Sequence, residues 1–190
     1  MRIVLLGAPG SGKGTQAALL VEALDLPHIS TGELLRAAVK AGTLLGQKAK
    51  AVIDRGELVS NDIMLGLLEE RLSETDAETG FILDGYPRNL AQAEALDELL
   101  ERLGQPVDEA LQIDVDVDMM IERIARRAAE EGRSDDTEEV VRNRMNVYEE
   151  QTAPVVEYYA RKGLLSRVLG EGTIEEVFQR IRGVLQIRAA

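Results

Sequence analysis

Short apolar runs alternate along the chain with longer stretches in which apolar residues recur every three or four positions. The runs RIVLLG, LPHIS, GFILDG, EALQIDVD and LLSRVLG indicate strands, since a strand covered on both faces is apolar along most of its length. The stretches between them, among them KGTQAALLVEALD and TIEEVFQRIRGVLQI, have the spacing of helices. This alternation predicts an α/β fold with a parallel sheet and helices on both of its faces.

Glycines are expected to divide the helical stretches. Gly42, Gly46 and Gly56 should separate two or three helices between residues 31 and 72. Gly104 should end the amphipathic helix LAQAEALDELLERLG.

Capping residues and a proline mark other helix boundaries. Ser30 or Thr31 is expected to cap the helix after LPHIS, and Asp136 or Thr137 should cap the long helix after the arginine-rich stretch. Pro154 should bend or interrupt that long helix, because proline lacks the N–H that a helix interior needs.

Composition narrows the classes of protein. With 190 residues, 45% of them hydrophobic, the chain can form one domain with a sizeable core. The absence of Cys excludes disulfides and the usual structural zinc sites, and the net charge of −12 argues against nucleic acid or an anionic membrane as a partner. The first apolar run is too short for a signal peptide, so we expect a cytoplasmic protein. Arginine supplies 17 of the 22 basic residues, which favours phosphate as a ligand.

The segment GAPGSGKGT near the amino terminus carries the first candidate chemistry. Gly7, Gly12 and Lys13 fit the phosphate-loop pattern G-x-x-x-x-G-K-[ST], in which backbone N–H groups and a helix N-terminus point at a phosphate. Lys13 adds a full charge that can follow a transferred phosphoryl group. Gly14 stands where the pattern has a hydroxyl, and Thr15 supplies one a residue later.

The order GxPGxGKGT resembles the phosphate loop of adenylate kinases and their nucleoside monophosphate kinase relatives, in which the Gly-Thr ending is normal. The resemblance covers essentially the whole chain, as far as LGEGT, where Gly172 would touch the donor adenine through its backbone. The ATP-binding residues that it implies are Gly10, Ser11, Gly12, Lys13, Gly14, Thr15, Arg123, Arg127 and Gly172.

Three other segments carry the resemblance on the acceptor side. STGELLR resembles the family's STGDLLR segment, GELVSN matches the segment that closes over the acceptor base, and LDGYPRNLAQ resembles the DGFPR motif with Tyr for Phe. The AMP-binding residues that the family resemblance implies are Thr31, Gly32, Arg36, Glu57, Leu58, Val59, Gly85, Tyr86, Pro87, Arg88, Gln92 and, from the arginine-rich stretch described below, Arg133 and Arg144.

The last of these segments also bears on acceptor choice and on metal. A Gln amide offers a donor and an acceptor that suit the adenine edge, whereas uridylate and cytidylate kinases usually have Asn there, so Gln92 favours AMP. Asp84 follows a strand close to the phosphate loop, and with Thr15 it is expected to hold Mg²⁺ through water. The expected cofactors are Mg²⁺ and ATP as phosphoryl donor, without zinc.

The stretch IERIARRAAEEGRSDDTEEVVRNR is rich in arginine. Arg123 and Arg127 share a helix face and resemble the pair that meets the donor base and phosphates. Arg133 and Arg144 match two arginines that converge on the transferred phosphate. The catalytic residues that the resemblance implies are Lys13, Arg88, Arg127, Arg133 and Arg144.

Other charged residues are given ordinary roles. Arg126 and Arg142 are expected on solvated helix faces, and the only His, His28, is expected to be structural. Asp135 and Asp136 match the acidic pair that orients the family's arginines. No general base is evident, and the acceptor phosphate is already an anion.

One domain, residues 1–190, is expected. Its core would comprise residues 1–29, 60–125 and 137–190, with an AMP-binding segment at residues 30–59 and a lid at residues 126–136. Only AAEEG separates Arg127 from Arg133, which resembles the short-lid form of the family. Many bacterial members of the family have a longer lid.

The resemblance implies reversible, Mg-dependent transfer of the terminal phosphoryl group of ATP to AMP, giving two ADP. A kinase of UMP, CMP or another monophosphate is the alternative within the family. A GTP-binding switch is opposed by the lack of an N-K-x-D string, and an inert nucleotide-binding scaffold by the arginine set. ATP, AMP and ADP are the expected partners of a monomer, with no nucleic acid and no membrane.

Overall fold

The computed structural model describes residues 1–55, 57–131 and 137–186. These residues form one five-stranded parallel sheet with strand order β2-β3-β1-β4-β5. The strands are β1 (Arg2–Leu6), β2 (His28–Ser30), β3 (Phe81–Asp84), β4 (Glu109–Asp114) and β5 (Leu165–Leu169). All five apolar runs that the sequence marked as strands are therefore confirmed, as is the α/β fold class.

Helices connect consecutive strands, a last helix follows β5, and together they cover the sheet. They are α1 (Lys13–Leu24), α2 (Thr31–Lys40), α3 (Leu44–Ile53), α4 (Asn61–Leu72), α5 (Leu90–Arg102), α6 (Val117–Glu131), α7 (Glu138–Val147), α8 (Ala153–Arg161) and α9 (Ile174–Val184). A π-helical turn, Tyr148–Thr152, joins α7 to α8. Within the described parts of the chain, no helix is both long enough and apolar enough to span a membrane.

Two apolar cores form because neighbouring residues of a strand face opposite sides of the sheet. In β1, Val4 and Leu6 join a core with residues of α4, α5 and α8, whereas Ile3 and Leu5 join a second core with residues of α1, α6 and α9. Every one of these four side chains is at most 3% exposed. The sheet is thus fixed from both faces, and its carboxyl edge stays available for ligands.

The expected helix break at Gly46 is wrong. Gly46 lies inside α3, which begins after the cap Thr43, whose hydroxyl accepts the N–H of Gly46. A Cβ at Gly46 would lie 2.1 Å from the carbonyl oxygen of Ala38 in α2. This glycine therefore allows two helices to approach closely and does not end either of them. Gly42, with φ +67°, does separate α2 from α3.

The start of α2 resolves one alternative that the sequence left open, and the start of α7 leaves the other open. Ser30 caps α2, because its hydroxyl accepts the N–H of Glu33, and Thr31 is the first residue of the helix. Thr137 precedes α7, whereas Asp136 lies outside the described residues. The interruption expected at Pro154 is present, but it starts earlier, at the π-helical turn.

The AMP-binding segment and the lid join the core in different ways. Residues 30–59 contain α2 and α3, and Leu35 and Val59 pack into the first apolar core. The boundary expected at residue 126 falls inside α6, so the described part of the lid continues that helix.

Candidate active site

The phosphate loop connects the end of β1 to the start of α1. Gly7, Gly10 and Gly12 have φ values of +146°, +80° and +95°, which L side chains rarely adopt. A Cβ at Gly7 would lie 2.7 Å from the carbonyl oxygen of Ile113 in β4. The glycines are thus required by backbone conformation and by contact with the adjacent strand.

The side chain of Lys13 lies across this loop. Its Nζ donates hydrogen bonds to the carbonyl oxygens of Gly7, at 2.8 Å, and Ala8, at 3.0 Å. The ammonium is therefore held at the centre of the loop, where a bound phosphate would meet both it and the helix N-terminus.

Burial lowers the pKa of Lys13 to about 8, from an ordinary value of 10.5. The Asp84 carboxylate opposes this shift, whereas the positive charges of Arg88, Arg144 and Arg127 add to it. Arginines from β3–α5, α6 and α7 therefore act on one ammonium, although they are distant in sequence. Such a concentration of positive charge favours a polyanionic ligand.

Asp84 ends β3 beside the ends of β1 and β2, where it pairs in register with Leu5 and Ser30. Its burial would raise the pKa of the carboxyl, but the adjacent imidazole of His28 and the charges of Lys13 and Arg88 outweigh burial, and the net pKa is lowered. The Nε2 atom of His28 lies 3.6 Å from Oδ2 of Asp84. The carboxylate is thus ionised at neutral pH.

This ionised carboxylate fits the requirements of Mg²⁺. The ion is commonly held by one or two carboxylates, substrate phosphates and water, so a dedicated cluster of ligands is unnecessary. The described residues contain no group of three or more His, Cys, Asp or Glu residues suited to a metal. Asp84 and Thr15 both line the same cavity as the phosphate loop.

Hydrogen bonds of Arg88 and Gln92 hold the loop after β3. The Arg88 Nε donates to the carbonyl oxygen of Gly85 at 2.6 Å, and the Arg88 N–H donates to Oε1 of Gln92 at 2.7 Å. The Nε2 of Gln92 donates to Oδ1 of Asn61 at 2.9 Å. Gln92 is 1% exposed, so its amide is fixed in orientation at the wall of the cavity.

On the opposite side, Arg123 connects α6 to the loops at the carboxyl edge. Its guanidinium donates to the carbonyl oxygens of Ser11, at 3.4 Å, and Gly170, at 3.0 Å. Gly172, with φ +107°, lies in the same loop after β5. These contacts place the phosphate loop, α6 and the 170–173 loop around one end of the cavity.

A single cavity of about 1040 Å³ contains the predicted site. It is lined by every predicted ATP-binding, AMP-binding, catalytic and metal-binding residue that the structure describes. Arg133, Asp135 and Asp136 lie outside the described residues. Arg126, expected on a solvated face, is exposed and also borders the cavity, whereas Arg142 is exposed and pairs with Glu138.

Four residues had no predicted role in the site: Gln16, His28, Asn61 and Thr152. Gln16, His28 and Thr152 line the cavity, whereas Asn61 supports it through its hydrogen bond with Gln92. The Gln16 Nε2 donates to the carbonyl oxygen of Ile174 at 3.0 Å, which ties α1 to α9. Gln16 precedes the buried Ala17 on a largely apolar helix. A polar residue next to a buried position could have indicated that Gln16 makes a specific contact. The contacts of the other three residues join segments far apart in sequence.

A glycine loop after the first strand of a parallel sheet, with a lysine at the start of the next helix, defines a phosphate-loop nucleotide-binding protein. The family model described as adenylate kinase matches residues 5–164. The chain therefore belongs to the adenylate kinase family and is a phosphotransferase.

Similar proteins span nearly the whole chain. Adenylate kinase of Stenotrophomonas maltophilia (strain K279a) is 58% identical over 186 residues, which are 98% of this chain and 100% of that protein. Adenylate kinase of Xanthomonas euvesicatoria pv. vesicatoria (strain 85-10) is 59% identical over 185 residues, covering 97% of this chain and 99% of that protein. The family resemblance seen in the motifs is thus confirmed.

Proposed function

We propose that this enzyme transfers the terminal phosphoryl group of ATP to AMP, reversibly, giving two ADP. In the forward direction an oxygen of the AMP phosphate forms a bond to the γ-phosphorus, and the bond from that phosphorus to the β–γ bridging oxygen breaks. The attacking oxygen is already anionic, so no general base is required. Such transfers depend mainly on positioning and on stabilisation of charge.

The donor half of the cavity is assigned to the phosphate loop. Its backbone N–H groups and Lys13 would hold the β- and γ-phosphates of ATP. Arg123 and Arg127 would meet the donor base and phosphates, and Gly172 would contact the adenine through its backbone. The contacts of Arg123 with Ser11 and Gly170 support this assignment, since they connect the loop with the 170–173 segment.

The acceptor half is assigned to Thr31, Arg36, Arg88, Gln92 and the 57–59 segment. Arg88 would bind the AMP phosphate as a fork, and Gln92 would read the adenine edge. The fixed orientation of the Gln92 amide supports the choice of AMP over UMP or CMP, because its hydrogen bonds to Arg88 and Asn61 prevent it from adapting to another base.

Asp84 and Thr15 would hold Mg²⁺ through water, together with the ATP phosphates. When bound, the ion would neutralise charge on the β- and γ-phosphates. The lowered pKa of Asp84 supports this site because it keeps the carboxylate ionised.

We expect the 30–59 segment and the lid to close over bound nucleotides. Water must be excluded from the transferred group, or ATP would be hydrolysed instead. A monomeric state stays a prediction. A cytoplasmic location stays a prediction. Hydrogen exchange of the two segments, with and without both nucleotides, tests closure.

One observation carries the proposal: Lys13 lies in one cavity with arginines from three segments, and burial together with their charges lowers the pKa of its ammonium. The test is a coupled assay of transfer from ATP to AMP, UMP, CMP and GMP, with and without Mg²⁺. AMP should be the preferred acceptor, and chelation should abolish transfer. Equal rates with UMP and AMP would contradict the acceptor assignment.

A further inference from the structure

The helix that carries Arg144 is interrupted by the π-helical turn Tyr148–Thr152. The hydrogen bonds of a π-helical turn join residues five positions apart, whereas those of an α-helix join residues four positions apart, so each residue rotates less about the helix axis. Isolated π-helical turns often occur at functional sites. The proposed transfer reaction gives this turn no role.

The turn changes which side chains share a face. Arg144 and Thr152 are eight positions apart, and both line the nucleotide cavity. In a continuous α-helix they would differ by about 80° around the axis, because each residue rotates by about 100°. The smaller rotation per residue in the π turn reduces this difference, so both side chains point into the cavity while Val155 and Tyr159 stay fully buried in the core.

Thr152 makes a specific contact with the acceptor loop. Its hydroxyl donates a hydrogen bond of 2.8 Å to the main-chain carbonyl oxygen of Arg88, 64 residues away. Helical Thr hydroxyls commonly donate to a carbonyl of their own helix, so this partner is unusual. The Arg88 peptide region is thereby held at its carbonyl by Thr152 and at its N–H by Gln92.

We infer that Thr152 is a positioning residue for the acceptor phosphate. Its hydroxyl fixes the backbone of Arg88, and the π-helical turn brings that hydroxyl to the acceptor loop while Arg144 faces the same cavity. The inference rests on the proposed binding of the AMP phosphate by Arg88. Thr152 touches no reacting atom, so its effect should appear in binding of the acceptor and not of the donor.

The test compares Thr152→Val and Thr152→Ala, which both lose the hydroxyl, with Thr152→Ser, which keeps it. Ser73→Ala is the matched control, because it removes a 2.7 Å bond from a hydroxyl to the main-chain carbonyl of Glu69, outside the cavity. KM for AMP, KM for ATP, kcat and melting temperature are measured for each. Arg88→Lys serves as the reference for the acceptor site.

Both hydroxyl-free variants should raise KM for AMP by about two- to tenfold, the factor expected for one hydrogen bond, while KM for ATP stays unchanged. Thr152→Ser should resemble the parent enzyme, and Ser73→Ala should change neither KM. Equal changes in both KM values, a lower melting temperature alone, or failure of Ser to rescue would overturn the inference. If Arg88→Lys raises KM for ATP and not for AMP, the proposed acceptor site is itself wrong.

Discussion

The two halves of the cavity are built from different parts of the polypeptide. The phosphate loop presents backbone, with Gly7, Gly10 and Gly12 at positive φ and a single charged side chain, Lys13. The acceptor half presents side chains that hold one another, as Arg88, Gln92 and Asn61 do. Backbone N–H groups bind any polyphosphate, whereas a fixed amide can read one base. The donor half thus determines where phosphate lies, and the acceptor half determines which nucleotide accepts it.

The largest effect is expected where the phosphate loop depends on one side chain. Lys13→Met should lower kcat on the order of a hundred- to a thousandfold, the range for loss of one group that stabilises transition-state charge. The fold should be retained, because the ammonium is buried at a cost that lowers its pKa to about 8. Steady-state rates and a melting curve are the measurements.

Lys13→Arg is the control, since it keeps the charge and changes its shape. It should retain more activity than Lys13→Met. Full activity in Lys13→Met with an unchanged melting curve would contradict the assignment of the phosphate loop.

On the acceptor side, Gln92→Ala should reduce discrimination between AMP and the other monophosphates by about 1–3 kcal/mol, the range for one good bidentate base contact. The ratio of kcat/KM for AMP to that for UMP measures it. KM for ATP should be unchanged, and Gln179→Ala, which removes an exposed amide bonded to Glu175, is the control. A similar loss with every acceptor would mean that Gln92 only supports the Arg88 loop.

The sequence predicted the strands and the phosphate loop well because both are local. A buried strand shows as an apolar run, and the loop glycines are required by conformations within a few residues. The prediction at Gly46 was wrong because this glycine is required by contact with another helix: a Cβ at Gly46 would meet the backbone of Ala38.

The contacts that complete the cavity depend on tertiary structure and could not be read from spacing. Thr152 donates a hydrogen bond to Arg88, and Gln16 donates one to Ile174. No periodic pattern in the sequence marks either contact. The π-helical turn was also not predicted, because the proline indicated an interruption at Pro154, just beyond the turn. Family motifs supplied the predicted site residues, whereas the residues that hold them in place came from the structure.

A pair of glycines tests the claim that the donor half depends on backbone conformation. Gly10→Ala should lower the free energy of unfolding by about 1–3 kcal/mol, because φ is +80° and the new Cβ would lie 2.8 Å from the carbonyl oxygen of Met120. Gly14→Ala should leave stability unchanged or raise it by up to about 1 kcal/mol, since a Cβ there meets nothing within 4 Å. Denaturant unfolding measures both; equal destabilisation would contradict the distinction.

The smallest effect near neutral pH comes from titration of Lys13. With a pKa of about 8, the free enzyme should lose this charge in mildly alkaline solution, so kcat/KM for ATP should fall above pH 8. Lys13→Arg should lack this fall.

The contribution of Lys13 to the free energy of unfolding should rise over the same pH range in which kcat/KM falls. An unfolded lysine keeps its proton up to about pH 10.5, so between pH 8 and 10.5 the unfolded chain binds more protons than the folded chain. The contribution of Lys13 to the free energy of unfolding therefore increases as pH rises through this range. A pH profile of kcat/KM that is flat to pH 10 would contradict the lowered pKa.

The most direct test of two nucleotide sites in one cavity is calorimetric titration with a ligand that joins two adenosines through five phosphates. One molecule should bind per chain, at least about a hundredfold more tightly than ATP or AMP alone, because a single ligand supplies both sets of contacts. Binding of two molecules per chain, or an affinity no tighter than that of ATP, would contradict the account.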